Sequence, residues 1–281
     1  MRASSKHRDL HRTAVAAISA FWMALPVRGE DCLQGQLESR SVTRVESAAA
    51  FALDDGSSLK LMSLSVPTAL DVSASEGEWA PELDARAAVD ALVRDRPIEI
   101  VASGAFRDRY GRRVAHVYGA GRDTGRFWLQ SAIIDKGHAR VAPLPGETMC
   151  LQELFAREAV ARAKRAGLWA NPAYAVRSAR ETRGLEKLGG SFQIIEGWVA
   201  AVGMSRNEVF LNFGRDWRWD FTAAVNLKRN DDRETLVARL KNLKGRLVRV
   251  RGFIERRNVP FISLATPEAI EELPEGSAGG R

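Results

Sequence analysis

The chain has 281 residues, 45% of them hydrophobic and 27% charged. That is an ordinary globular balance, with length enough for two modest cores and no sign of wholesale disorder. The 42 basic and 35 acidic residues give a net charge of +7, but the first 29 positions hold five of the basic residues and one acidic residue. The remainder is close to balanced at +3, which excludes a strong global field for capturing nucleic acid and leaves room for a local basic patch.

The N-terminus reads as an export signal. MRASSKHRDLHR is a basic stretch, and TAVAAISAFWMALPV is an apolar stretch too short for a bilayer span. Val27 and Gly29 are small residues at peptidase spacing, so residues 1–29 are assigned as a signal peptide cleaved after Gly29. The mature chain is then periplasmic or secreted and has no transmembrane span. Glu30 and Asp31 precede Cys32, which argues against a lipoprotein. Cys32 and Cys150 are the only cysteines, and in an oxidising compartment an even count favours one disulfide between them. With no CxxC and no Cys/His cluster, no metal site is assigned.

Strands are expected from Val42 to Val66, with Asp54-Asp55-Gly56 as a hairpin turn. A helix follows over 80–94, opened by Pro81 and carrying Leu83, Ala87, Ala91 and Leu92 as its apolar stripe. PIEIVA (97–102) and 114–118 read as strands, joined by the polar RDRYGRR. A helix over 128–136 closes at Gly137. In LQELFAREAVARAKRAG the apolar face is Leu151, Leu154 and Phe155, with Gly167 as the cap. Residues 171–188 read as a linker. Beyond it, SFQIIEGWVAAVG, EVFLNFG and DWRWDFTAAVNL read as strands, DDRETLVARLKNLKG as a helix, and RLVRVRGFIE and PFISLA as strands. This is the strand order of a five-stranded Greek-key OB barrel. Residues 274–281 read as a flexible tail. The expected fold class is β-rich α+β: two tandem OB-fold barrels with accessory helices, one over 30–170 and one over 189–273.

DRYGRRVAHVY, IIDKGHARV and AREAVARAKRAGLW together resemble the second half of a thermonuclease, or staphylococcal-nuclease-like, domain. The resemblance covers about 42–169, and the region from 190 resembles an OB-type extension seen after some bacterial members. It implies a phosphodiester and a calcium ion at a barrel mouth. Two carboxylates would bind the ion, a glutamate would serve as base, and two arginines would face the phosphate. Carried onto this chain, one arginine is retained as Arg112 and the other is replaced by Lys60, which keeps the charge but loses the planar fork. Ser65 stands at one metal carboxylate and Thr68 at the glutamate. The remaining carboxylate falls at Ala48 if Asp55-Gly56 is a hairpin, and at Ser57 if it is the metal loop. The first register preserves strand alternation.

Two classes of function stay open. One is a catalytically degenerate binding module for an anionic ligand, nucleic acid or an envelope partner, with no cofactor. The other is an active exported phosphodiesterase with a rearranged site, using calcium and relocated carboxylates such as Asp54 or Asp71. A structural role in the envelope is a third possibility. The ligand candidates are Arg109, Tyr110, Arg112 and Arg113, a basic cluster around an aromatic that also reads as a solvated loop partnered by Asp108. Trp217 and Arg218 form a second candidate pair. The alternation of Trp219 with Phe221 reads as core, and that of Arg246, Arg249 and Arg251 with Leu247, Val248 and Val250 as a strand with a solvated basic face. His116 and His138 read as structural.

Overall fold

The computed structural model describes residues 35–72, 79–102, 106–120, 125–146, 148, 150–228, 232–255 and 259–274. The expected signal peptide, Cys32 and most of the expected tail lie outside them. Among the described residues, no helix is long and apolar enough to cross a membrane.

The first unit contains β1 (Gln36–Ser47), β2 (Ala50–Leu53), β3 (Ser58–Leu61), β4 (Leu64–Ser65), α1 (Ala80–Val93), β5 (Pro97–Ala102), β6 (Arg113–Ala115), β7 (Val117–Ala120), β8 (Arg126–Trp128), α2 (Leu129–Asp135), β9 (Arg140–Val141) and α3 (Leu151–Ala163). Seven strands form one sheet in the order β6-β3-β2-β1-β5-β7-β8, and β4 pairs with β9. β1 starts six residues before the expected Val42, because its first half is polar and lies largely exposed, so alternation gives no signal there. The register Ala50↔Lys60, Phe51↔Leu59, Ala52↔Ser58 makes Asp54-Asp55-Gly56 the hairpin turn. Asp55 Oδ1 accepts from Ser57 N at 2.9 Å, holding that turn.

α1 occupies the expected span with Pro81 in its first turn, but its buried face is Ala85, Val89 and Val93. The expected stripe is rotated outward, and Leu83 is 41% exposed. The small i, i+4, i+8 face wins because it lets the helix lie close on the sheet. α3 buries Leu151, Leu154 and Phe155 as expected. Its left-handed cap is Arg165 (φ 53) rather than Gly167: Ala166 N donates to Ala161 O at 2.9 Å, the long bond of a Schellman closure. Gly167 has a different task. A Cβ there would meet Gly137 O at 2.4 Å, and one on Gly137 would meet Ala166 O at 2.0 Å. The two glycines let the α2 and α3 ends touch backbone to backbone, sealed by Leu168 N donating to Gly137 O at 2.8 Å.

The second unit contains β10 (Arg177–Ser178), α4 (Thr182–Glu186), β11 (Phe192–Trp198), β12 (Ala201–Met204), β13 (Glu208–Asn212), β14 (Thr222–Asn226), α5 (Arg233–Lys241), β15 (Leu247–Glu255), β16 (Phe261–Leu264) and β17 (Ile270–Glu272). Its sheet runs β10-β11-β15-β16-β14-β13-β12, with β17 on β15. The first expected strand is split in two at Val199-Ala200, and of DWRWDFTAAVNL only Thr222–Asn226 is strand. The rest is a turn fixed by two aspartates: Asp216 Oδ1 accepts from Arg218 N (3.0 Å), and Asp220 Oδ2 from Asp216 N (2.9 Å). Phe221 is fully buried, but Trp219 is 69% exposed, so the reading of Trp219 as core is corrected. The period-two argument fails because the residues are not on a strand. Residues 172–186, read as linker, carry β10, α4 and a short turn of 3-10 helix, and they bury Tyr174 and Leu185.

The class is β-rich α+β. Both sheets are open paths of paired strands, so the closed tandem barrels expected from strand order are not what the pairing displays.

The two units share a buried seam. Trp169, Tyr174, Phe192 and Ile194 form one cluster across it, and Trp79 Nε1 donates to Tyr174 Oη at 2.7 Å. Two arginines are buried in the seam. Arg140 donates to Phe192 O (2.6 Å) and to Asp71 Oδ2 (2.9 Å). Arg251 donates to Val141 O (2.9 Å) and to both oxygens of Glu158 (3.1 and 2.9 Å), and pairs with Glu271. The solvated basic face expected for β15 is therefore corrected. The Arg251 side chain has no exposure, and Arg249 is held by Glu196 at 2.7 Å.

Candidate functional site

A cleft of about 370 Å³ opens where the β2–β3 edge of the first unit meets the second. Lys60, Ser65, Thr68 and Arg112 all line it, although they come from two separate stretches of sequence. β3 places Lys60, β4 places Ser65, and the DRYGR turn places Arg112. That turn is organised by Asp108. Its Oδ1 accepts from Tyr110 N (2.9 Å) and Arg112 N (3.1 Å), and its Oδ2 accepts from Arg112 Nε (2.8 Å). Burial alone would raise the Asp108 pKa; these bonds and the Arg112 charge outweigh it and hold the carboxyl below its ordinary value.

Lys60 is partly buried, and its pKa is lowered first by that burial and then by the Arg112 and Arg109 charges, with Asp108 opposing. Lys60 and Arg112 thus face one cleft and share Asp108 as a counter-charge, and a bound anion would relieve the repulsion between them. Ser63 adds a hydroxyl. It has a left-handed backbone (φ 59), is 1% exposed and lines the cleft, and its Oγ meets no hydrogen-bond partner among the described residues. Sequence reasoning missed Ser63, since nothing in SLKLMSLSVP separates it from Ser65.

The carboxylate positions carried over from the resemblance hold none. Ser47, Ala49 and Ala50 line the cleft, while Ala48 is packed at 3% exposure. The relocated candidates do not supply one either. Asp71 is buried against Arg140 and also accepts from Thr68 N at 3.1 Å. Asp54 sits in the β2–β3 hairpin, at the end of the hairpin away from Lys60. No described residue lining the cleft is acidic, and no group of three or more His, Cys, Asp or Glu among the described residues could hold a metal ion. Calcium takes six to eight oxygens with carboxylates among them, so hydroxyls beside two cations do not fit it.

Of the other sequence candidates, Tyr110 is 67% exposed, with the Arg109 and Arg112 guanidinium carbons 4.8 and 5.1 Å from its ring centroid. Arg113 pairs with Glu38 and is taken up by the sheet. Trp217 and Arg218 lie apart, in a pocket of the second unit. The second wall of the cleft was not foreseen: Phe192, Gly252, Phe253 and Ser263 come from the second unit. Phe192 and Phe253 meet edge to face at 5.5 Å, and Phe253 is 62% exposed.

No curated protein matches the chain. Residues 58–171 match the family model described as staphylococcal nuclease homologue. The match opens at β3, takes in Lys60, Ser65, Thr68 and Arg112, and stops before the second unit. The turn built by Asp108, the paired glycines at the α2–α3 contact and the cleft residues Lys60, Ser65, Thr68 and Arg112 thus all lie within the stretch that is similar to a staphylococcal nuclease homologue domain.

Proposed function

We propose that the chain is an exported, non-catalytic member of the nuclease family that binds a phosphate-bearing anion, with nucleic acid as the leading ligand class. The observation that carries this reading is the composition of the cleft: Lys60 and Arg112 beside the hydroxyls of Ser63, Ser65 and Thr68, with no carboxylate among the described lining residues. Removing the metal ligands and the base takes away the main sources of rate acceleration, while keeping both cations preserves attraction for phosphate. We read the two units as OB-type modules in tandem, from the order of their strands. The first would supply the cations and the second one wall.

The test is a titration of the mature protein with short single-stranded DNA, with calcium or with chelator. Binding should be indifferent to the metal and should weaken as salt rises, because it rests on a few phosphate contacts. Arg112→Ala should weaken it severalfold. Chelator-sensitive cleavage of the DNA would sink the proposal in favour of a rearranged phosphodiesterase. Equal binding by wild type and Arg112→Ala would make Arg112 a remnant.

A further inference from the structure

The second unit has a pocket of about 660 Å³ that shares no residue with the cleft of Lys60 and Arg112. Its floor is the outer face of β13. Val209 and Leu211 point into the core, which sends Phe210 and Asn212 to the opposite face. The residue paired with Phe210 across the ladder is Gly203, so no side chain covers the ring from that side. The wall is the aspartate-fixed turn, which holds Trp217 at 61% exposure. A large indole kept exposed by a rigid turn, beside a partly exposed phenyl ring, is an apolar surface open to a ligand.

The polar groups are few and placed at the edge. Arg218 stacks on Trp217, its guanidinium carbon 5.0 Å from the ring centroid. Its nearest counter-charge is Asp216 at 3.8 Å, with both side chains well exposed. Among the described residues it is the one charged side chain lining the pocket. Thr222 Oγ1 donates to Asn212 Oδ1 at 3.1 Å, which leaves the Asn212 amide nitrogen as a donor at the rim. Flat apolar faces, a hydrogen-bonding edge and a cation at one side match an unpaired nucleobase with its phosphate. A sugar would also stack on the indole, but it carries no charge for Arg218 to meet.

We propose that this pocket is a second ligand site: a stacking platform for a base of single-stranded nucleic acid, formed by Trp217 and Phe210, with Arg218 on the neighbouring phosphate. Duplex is excluded from it, because stacked and paired bases present no face to the indole.

The test uses the full chain and a fluorescein-labelled ten-nucleotide oligothymidylate, read by anisotropy. Trp217→Ala should weaken binding about tenfold, the scale of losing one base–aromatic stack. Trp217→Phe should keep most of the affinity. Arg218→Ala should weaken binding and lower the salt slope by about one unit. The Lys60→Ala, Arg112→Ala double variant separates the two sites: a Trp217→Ala loss that persists on that background belongs to the second site alone. Trp217 and Arg218 are exposed, so melting temperatures should stay unchanged in the variants at these two positions. Unchanged affinity in Trp217→Ala would overturn the proposal, as would equal losses for the Phe and Ala variants. So would indole quenching by an oligosaccharide in a protein that ignores the oligonucleotide.

Discussion

Glu158 offers the sharpest test of how the two units are joined. It projects from α3 at 1% exposure and accepts from Val141 N at 2.7 Å as well as from Arg251. Burial would lower the Arg251 pKa, yet Glu158 and then Glu271 outweigh it and hold it above the ordinary arginine value. Removing Glu158 leaves a fully buried guanidinium with one carboxylate in place of two. Breaking a buried pair from one side costs about 3–5 kcal/mol. Because Glu271 still faces Arg251, Glu158→Ala should fall near the low end, about 3 kcal/mol. For a protein of this size that corresponds to a drop in Tm of roughly 6–12 °C. Glu158→Gln can still accept from Val141 N and should lose less, about 2 kcal/mol. Replacing both partners, Glu158→Leu with Arg251→Met, should recover most of the loss, since apolar substitutes for a buried pair are often neutral. Urea unfolding followed by tryptophan fluorescence reads all three. A cost below about 1 kcal/mol for Glu158→Ala would refute the argument that this pair holds the seam. So would a double variant no better than the single one.

Lys60 has its pKa lowered by burial and by Arg112, so between that value and the ordinary 10.5 the unfolded chain holds a proton that the folded chain has released. Stability should therefore rise with pH across that window. Phosphate affinity should fall over the same window, and Arg112→Ala should move the transition to higher pH; a phosphate titration between pH 7 and 11 checks both. Gly137→Ala would place a methyl 2.0 Å from Ala166 O at φ +68 and should cost more than about 2 kcal/mol in thermal unfolding. We propose the Cys32–Cys150 bridge as well. Non-reducing peptide mapping should find the two linked, and reduction should remove up to about 4–5 kcal/mol of stability, whereas two alkylated thiols in exported protein would end the idea. Mass spectrometry of that protein should give a start near Glu30; an intact Met1 chain in the cytosol would contradict export.

What could be read from the sequence was local. The β2–β3 hairpin is announced by Asp54-Asp55-Gly56, and the α3 face by Leu151, Leu154 and Phe155, because turn chemistry and helical spacing act within a few residues. The α1 stripe was misread because Leu83 is larger than Ala85, and size suggested burial. The seat on the sheet selects the side chains that fit, and there Ala85, Val89 and Val93 fit. Trp219 was misread because alternation presumes a strand, and Asp216 and Asp220 had already turned the chain. In β1 the reverse happened: a strand formed with hardly any apolar alternation, held by pairing to β2 on one side and β5 on the other.

The site divides along the same line. Lys60, Ser65, Thr68 and Arg112 could be gathered in advance because they belong to a pattern that the fold brings together. The opposite wall could not, because it depends on arginines whose burial leaves no mark in the sequence. In RLVRVRG, Arg249 and Arg251 look alike, and both read as solvated. Only the arrival of α3 beneath β15, with Glu158 aimed at it, makes one of them interior. Arg140 and Arg251 then fix the second unit against the first, one through Phe192 O and the other through Val141 O. Phe192 and Arg251 themselves line that cleft, so the contacts that hold the units together also set the width of the opening. A change at the seam should therefore be felt by the ligand before it is felt by the fold. Glu158→Gln, the mildest of the seam variants, should alter phosphate affinity at temperatures where the protein is still fully folded. If affinity stays at the wild-type value until unfolding begins, the second unit is a neighbour of the site and not a part of it.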